Sequence, residues 1–477
     1  MAGLSPDGTA CGGVALGDVC VLGLGRTGEA VASYLADRIG GRVSSVTLYG
    51  GARSDAGPAS RALEERGVRV VLGTEEVTGS YDLAVASPGI PEGSPFLRAA
   101  AACSREVIGE PELAWRESPG RWLAITGTNG KTTTTALATA LLRAGGEDAV
   151  AVGNIGTLAI GEVAARPAPR WFVAELSSFQ LAESVRLHPR VAVLLNVTPD
   201  HLSWHGGIER YAEAKECVFA NLDAHDLAVV SCEDDWCRAA IGRLEDRGLR
   251  VAHLCATCDP GTPCAAFVRD DRLVVRLDGT EHELAAVDEM AIRGSHNVQN
   301  ALAASALALE VGAPADLVRA GLLAFAPLEH RIEPCGEAGG VRFVNDSKAT
   351  NTDAVEKALT AFDPRRLILL MGGHDKGTDL GSVARAASRG ARVVICFGEA
   401  GERMAQAVEG AGGTSRVIRA RHLAEAFQTA CDVAARGDVV LLSPACSSFD
   451  EFSNFEERGR AFKRLVAEHA SDGGGAR

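Results

Sequence analysis

In the segment LAITGTNGKTTTTA, residues 123–136, an apolar run ends in two glycines, a lysine and four successive threonines. Residues of these types in this order suit a polyanion. Glycines let backbone N–H groups turn toward a phosphate, and a helix starting just beyond them adds the partial positive charge of its N-terminus. Gly127, Thr128, Asn129 and Gly130 would form the cradle. Lys131 would reach the terminal phosphates, and the Thr132 hydroxyl, followed by Thr133, would bind the accompanying Mg²⁺. The usual spacing places a glycine where this chain has Ile125, so the loop is a variant that begins at Gly127.

Other apolar runs also end on polar groups. WFVAELSSFQL runs to Glu175 and then presents Ser177, Ser178 and Gln180; VAVLLNVTPDHLSWHG runs to Asn196 and presents Asp200 and His201. In an open parallel sheet the strand carboxyl ends share one crevice, and an acid there offers a hard oxygen ligand beside the phosphates. Taken singly, Glu175 reads equally as a helix-capping acid and His201 as a loop histidine. GIERYAEAKECVFANL reads as an amphipathic helix with Tyr211, Ala214 and Val218 on one face, and Lys215 reads as an ordinary solvated lysine. RGSHNVQN opens a later helix with His296, Asn297 and Asn300, amides suited to capping or to reading a base edge.

The amino-terminal part carries Gly23, Gly25 and Gly28 after a strand near Val19, a G-x-G-x-x-G fingerprint. A dinucleotide site wants an acid about 20 residues further on, at the end of the next strand. That strand ends in Tyr49-Gly50-Gly51, with no acid before Asp55, which favours a diphosphate over NAD. YDLAVASPGIP would bring Ser87, Pro88 and Gly89 to the same crevice. After FAPLEHRIEPCG, strands expected at Val341–Asp346, Leu367–Met371, Val393–Phe397 and Val439–Ser443 alternate with helical patterns. Lys348 and Lys376 stand in the loops between them, where they suit an anionic ligand or are ordinary surface lysines.

These elements predict an α/β protein of three domains. They are a Rossmann-like N-terminal domain (1–109), a central parallel-sheet ATPase domain with the phosphate-binding loop (110–327) and a Rossmann-like C-terminal domain (328–477). The 477 residues carry a net charge of −14, so no basic surface points to nucleic acid or an anionic membrane. The start lacks the basic-then-apolar order of a signal peptide, and no apolar run reaches the ~18 residues of a bilayer span, so a cytoplasmic location is expected. The 13 scattered cysteines read as reduced thiols. His253, Cys255, Cys258 and Cys264 form one candidate zinc cluster, without the second distant ligand pair such sites usually have. No internal repeat is present, and only the two tails read as disordered.

GTNGKTT, ELSSFQL, NVTPDHL, AEAKECVF, HNVQNALAA, EHR, NDSKATN and LSPACSSFDEFSNFEERG together resemble the Mur ligases, ATP-dependent amino-acid adders of peptidoglycan precursor synthesis. NDSKATN with SPACSSFDEF is similar to the branch that adds D-glutamate to UDP-N-acetylmuramoyl-L-alanine. The resemblance implies an acyl-phosphate route with ATP and two Mg²⁺ ions. It implies roles for Lys131, Thr132 and Glu175 at the phosphates and first ion, and for His201 at a second ion. Lys215 matches the family lysine that becomes carbamylated and serves as an anionic ligand. Asn297, Asn300, Arg331 and Asp346 match positions around the nucleotide. Thr350, Lys376, Ser448, Phe449 and Phe455 match the grip on D-glutamate, and Lys348 lies in the same motif. Arg26 and Thr27 on the first glycine loop, with Gly89, Asn154, Ser177, Gln180 and His201, fall on the nucleotide-sugar side. A monomer is expected. A folylpolyglutamate synthase would lack the paired C-terminal motifs, a Rossmann oxidoreductase would have the missing acid, and a GTP switch would need an N-K-x-D segment that the chain does not contain.

Overall fold

The computed structural model describes residues 15–155, 157–165, 170–200, 202–292, 294–375 and 377–471. Its contacts divide into two compact units. One comprises the chain up to Val287 with Gln299–Leu323; the other comprises Asp288–Val298 with the chain from Ala324 onward.

The first unit holds two sheets. The first sheet has β1 (Gly17–Leu22), β2 (Val43–Tyr49), β3 (Arg69–Val71), β4 (Leu83–Ala86) and β5 (Val107–Gly109), in the order β3-β2-β1-β4-β5. All its pairings are parallel. The order reverses between β1 and β4, which opens a crevice where Gly23 and Ser87 leave their strands, the usual ligand position in such sheets. The helix Arg26–Ala36 starts there.

The second sheet has β6 (Trp122–Thr126), β7 (Ala149–Gly153), β8 (Trp171–Glu175), β9 (Val191–Leu194), β10 (Leu227–Ser231), β11 (Arg250–Cys255), β12 (Ala265–Arg269), β13 (Arg272–Leu277) and β14 (Thr280–Ala286). Its order is β14-β13-β12-β11-β10-β9-β6-β8-β7. β6, β9 and β10 are buried along their whole length, as strands covered on both faces must be, which is why they read as unbroken apolar runs. The expected parallel sheet is present from β7 to β12, and β13 and β14 add an antiparallel edge to it. Two tight turns cause this. Asp270 and Asp271 adopt φ of 49° and 58°, and Asp278-Gly279 adopt 48° and 81°. Left-handed residue pairs of this kind close two-residue hairpins.

The second unit holds β15 (Glu333–Ala338), β16 (Val341–Asn345), β17 (Leu367–Gly372), β18 (Val393–Phe397), β19 (Arg416–Arg419) and β20 (Val439–Ala445), ordered β15-β16-β20-β17-β18-β19. The four expected strands appear, and two polar edge strands, β15 and β19, flank them. β15 runs antiparallel to β16. Alternate residues of β17 serve opposite faces: Leu367, Leu369 and Met371 pack with Val355, Ala384 and Met404, while Ile368 and Leu370 pack with Phe427 and Phe462.

Candidate active site

β6 delivers the chain to the phosphate loop at the carboxyl edge of the second sheet. Gly127 and Gly130 have φ of 149° and 85°, values that glycine adopts without strain. A Cβ on Gly130 would lie 2.4 Å from Asn300 Oδ1, so the loop also needs glycine for space. Gly130 caps the helix Lys131–Ala144 with no side chain on its first N–H groups, and these donors face an incoming anion. Asn196, just beyond β9, fixes the loop. Its Oδ1 accepts from Asn129 N at 2.9 Å and its Nδ2 donates to Asn129 O at 3.1 Å. Thr134 Oγ1 bonds Asn300 Oδ1 at 3.2 Å, tying the later helix Ser295–Glu310 to the phosphate helix.

Two lysines converge on one carbonyl. Lys131 Nζ donates to Gly127 O and Thr128 O, each at 2.8 Å, and Lys215 Nζ donates to Gly127 O at 2.7 Å. Lys215 is 1% exposed, so its reading as an ordinary solvated lysine is overturned. The helix Ile208–Glu216 turns this residue inward with Tyr211, whose ring lies 4.5 Å from Nζ. Burial, and then the neighbouring Lys131 charge, hold the Lys215 ammonium well below its ordinary pKa. Both influences favour the neutral amine over the ammonium form. Tyr211 also reaches the loop, its hydroxyl 3.1 Å from Thr128 Oγ1. His205 stacks edge-on against Tyr211, with Nε2 2.9 Å from Ser178 Oγ.

Glu175, the last residue of β8, is 2% exposed. Its Oε1 accepts from Asn154 Nδ2 at 3.0 Å, while its Oε2 is buried without a hydrogen-bond partner. A buried carboxylate oxygen left unsatisfied in a crevice of phosphate donors fits a divalent cation. Ser177 and Gln180 form a reciprocal capping box on the next helix, with Ser177 N donating to Gln180 Oε1 at 2.9 Å and Gln180 N to Ser177 Oγ at 3.2 Å. Their first role is therefore to set the chain leaving Glu175.

At the glycine fingerprint, Gly28 is packed so closely that a Cβ would meet the Gly23 carbonyl at 1.8 Å, whereas nothing lies within 4 Å of a Cβ on Gly25. Arg26 is exposed, Thr27 half-buried and Gly89 exposed around that opening. Ser87 Oγ, beside Gly23, is buried without a partner.

In the second unit Asp346 follows β16. It accepts from Ser443 Oγ at 2.7 Å and Ile332 N at 3.3 Å, and burial pushes its carboxyl up to about 7. Arg331 lies beside it and opposes that rise. Lys348 Nζ sits 3.9 Å from the Phe455 ring centroid. Thr350 N donates to Lys348 O at 2.8 Å, closing the same loop. Ser448 is buried and Phe449 is 69% exposed beside it. Asn297 lies in the first turn of Ser295–Glu310 and is buried. His201 and Lys376 lie outside the described residues.

Residues 125–308 match the Mur ligase middle domain, and residues 330–446 match the Mur ligase glutamate ligase domain. A protein of Koribacter versatilis named UDP-N-acetylmuramoylalanine–D-glutamate ligase is 38% identical, with 95% of this chain and 97% of that one covered. The protein of the same name from Thermobifida fusca is also 38% identical, over 94% and 97%. The chain belongs to the Mur ligase family. Solved structures share the fold at lower identity. A pseudomurein peptide ligase type C from Methanothermus fervidus has a TM-score of 0.58 at 17% identity, covering 94% of this chain and 99% of its own. The UDP-N-acetylmuramate-alanine ligase of Thermotoga maritima has 0.57 at 18%, covering 95% and 99%.

Within this Mur ligase, the middle-domain match runs from the phosphate loop through Glu175 and Lys215 to Asn300. Two side chains that do much of the positioning, Tyr211 and Arg458, were given no place in the site by the sequence reading, and Asn196 was read only as a strand end. The Arg458 guanidinium is 1% exposed and bonds Ser347 Oγ, Ser347 O, Cys446 O and Ser447 O at 2.9–3.1 Å, so it fastens the two C-terminal motif loops together. For Tyr211 a signal was present, since it stands one helical turn before Lys215 on the same face. The zinc expectation fails among the described residues. His253 Nε2 engages Glu245 at 2.9 Å, Cys264 Sγ engages Asp278 at 3.3 Å, and no three of the four candidates bring ligand atoms together.

Proposed function

We propose that this chain joins D-glutamate to UDP-N-acetylmuramoyl-L-alanine in peptidoglycan precursor synthesis, with ATP converted to ADP and phosphate. The observation that carries the reading is the meeting of Lys215, Lys131 and Glu175 at the phosphate loop, in a chain whose relatives bear that enzyme's name over nearly full length. In this reaction a substrate carboxylate oxygen attacks the γ-phosphorus and ADP leaves. The D-glutamate amine then attacks the acyl carbon, and phosphate leaves the tetrahedral intermediate. The protein's work is charge neutralisation and alignment.

The loop residues Gly127, Thr128, Asn129 and Gly130, with Lys131, Thr132 and Thr133, would cradle the β- and γ-phosphates. Thr132 and Glu175 would hold Mg²⁺, which supplies charge neutralisation when bound. A second ion beside His201 and the modified Lys215 belongs to the same reading. Lys215 is suited to modification because burial disfavours its ammonium form: from the neutral amine the Nζ lone pair attacks CO₂, one C–N bond forms, one N–H proton is lost to water, and a carbamate anion results. Asn297, Asn300, Arg331 and Asp346 would hold the nucleoside. The open space at Gly25, with Arg26, Thr27, Ser87 and Gly89, suits the UDP diphosphate, and Asn154, Ser177 and Gln180 the sugar side. Lys348, Thr350, Lys376, Ser448, Phe449 and Phe455 would receive the two carboxylates of D-glutamate. The division at 109/110 and 327/328, a monomeric state and a cytoplasmic location complete the reading; no described helix is long and apolar enough to cross a membrane.

Phosphate release from Mg·ATP with bicarbonate present tests it. Release should require both UDP-N-acetylmuramoyl-L-alanine and D-glutamate. Release with L-glutamate, D-alanine or diaminopimelate instead would overturn the assignment of amino acid. No release with any pairing would overturn the activity.

A further inference from the structure

The cysteine-bearing turn after β11 is not used by the ligase reading. β11 ends at Cys255, which is 5% exposed, and three residues later the chain brings back Cys258, which is exposed. The two sulfurs lie 3.1 Å apart. Thr257 Oγ1 lies 3.4 Å from Cys255 Sγ, and Ala256 N donates to Glu233 Oε1 at 3.3 Å, which holds the turn against the loop that follows β10. We infer that Cys255 and Cys258 form a redox-active dithiol, a modification site that low-molecular-weight disulfides convert to a Cys255–Cys258 disulfide.

The geometry separates this pair from Cys20, Cys237, Cys264 and Cys396. Cys20, Cys237 and Cys396 are buried within strands or helices, and burial raises the pKa of each thiol. Cys264 is buried and engaged with Asp278. At Cys255 burial opposes ionisation, but hydrogen bonds from the Thr257 hydroxyl, the Cys258 thiol and the backbone N–H groups of Thr257 and Cys258 outweigh it and lower its pKa. The bond and charge of Cys255 raise that of Cys258. The exposed Cys258 is the sulfur that an incoming disulfide meets first, and Cys255 lies behind it at 3.1 Å to resolve the mixed disulfide.

The chemistry is thiol–disulfide exchange. The Cys258 thiolate attacks one sulfur of a small disulfide RSSR, forming a mixed disulfide and releasing RS⁻. The Cys255 thiolate then attacks the Cys258 sulfur, forming the intramolecular bond and releasing the second RS⁻. Two electrons pass from the protein dithiol to RSSR, and the two thiol protons end on the released thiolates.

The test uses the full-length reduced protein incubated with oxidised glutathione, quenched by alkylation and digested with trypsin. The fragment 251–269 contains Cys255, Cys258 and Cys264. The expected result is a fragment short of two hydrogens with a single alkylated cysteine, Cys264. It should form at least about tenfold faster than any adduct on Cys264. C264S should still form the bridge, whereas C258S, altered at an exposed position, should form none. A bridge that includes Cys264, a glutathione adduct that persists on the native protein, or three alkylated cysteines after the same exposure would each overturn the inference.

Discussion

Replacing Lys215 by methionine separates what this side chain does for the fold from what it does for the reaction. The substitution keeps the volume of the stem and removes one hydrogen bond, from Nζ to Gly127 O. That carbonyl keeps its bond from Lys131 Nζ at 2.8 Å, so no acceptor is orphaned and the loss is about 1 kcal/mol. Burying the amine costs about 2 kcal/mol against an apolar group, and methionine removes that cost. The K215M protein should therefore match the native one or exceed it by about 1 kcal/mol above the unfolded pKa of the amine, and by more as pH falls toward neutrality.

The pH dependence sharpens the test. The folded pKa of Lys215 is depressed, so between that value and the unfolded value the unfolded chain binds a proton that the folded chain does not. Stability from this group is complete above the unfolded pKa and is lost as pH falls toward the folded one, by up to about 1.4 kcal/mol per pH unit. K215M should flatten that slope. Denaturant unfolding of the ligand-free protein across this range is the assay, with phosphate release measured beside it. Activity should fall by about 10² or more, the cost of losing a charge-stabilising group at the reacting centre. Destabilisation by K215M of more than about 2 kcal/mol at neutral pH would refute the reasoning, because it would mean that the lysine is a paired cation.

Gly25→Ala should leave stability unchanged and raise the KM for the nucleotide sugar, whereas Gly28→Ala should destabilise the fold by about 2 kcal/mol or more through its clash with the Gly23 carbonyl; urea unfolding and initial rates distinguish them. Asp346→Asn should keep both hydrogen bonds, since a hydroxyl can accept from the amide. With its folded carboxyl raised to about 7, Asp346 loses stability as pH rises from its unfolded value through 7, so the variant should gain relative to the native chain over that window in pH-dependent melts. Arg458→Met should strand the Ser347, Cys446 and Ser447 carbonyls and cost about 3 kcal/mol or more, with a raised KM for D-glutamate as the motif loops separate.

How much could be read from sequence depended on the distance over which each feature is decided. The phosphate loop was legible because its glycines, lysine and helix start are consecutive, and each has a local conformational reason. The buried strands of the second sheet were legible because coverage on both faces imposes an apolar run. The antiparallel hairpins were missed for want of reading Asp270-Asp271 and Asp278-Gly279 as left-handed turn pairs, a local signal that was present. Edge strands β15 and β19 were not legible, since one open side relaxes the apolar requirement.

Lys215 shows the limit most clearly. Within its own helix it is flanked by glutamates, and a lysine in such company ordinarily lies in water, although the helical period sets it one turn after Tyr211 on the same face. What buries it is the Gly127 carbonyl, 88 residues away in the chain, together with the Tyr211 ring one turn back. Burial there disfavours the charged form of the lysine. Arg458 is a second residue decided by distant partners: its four carbonyl and hydroxyl acceptors come from loops more than ten residues away in sequence.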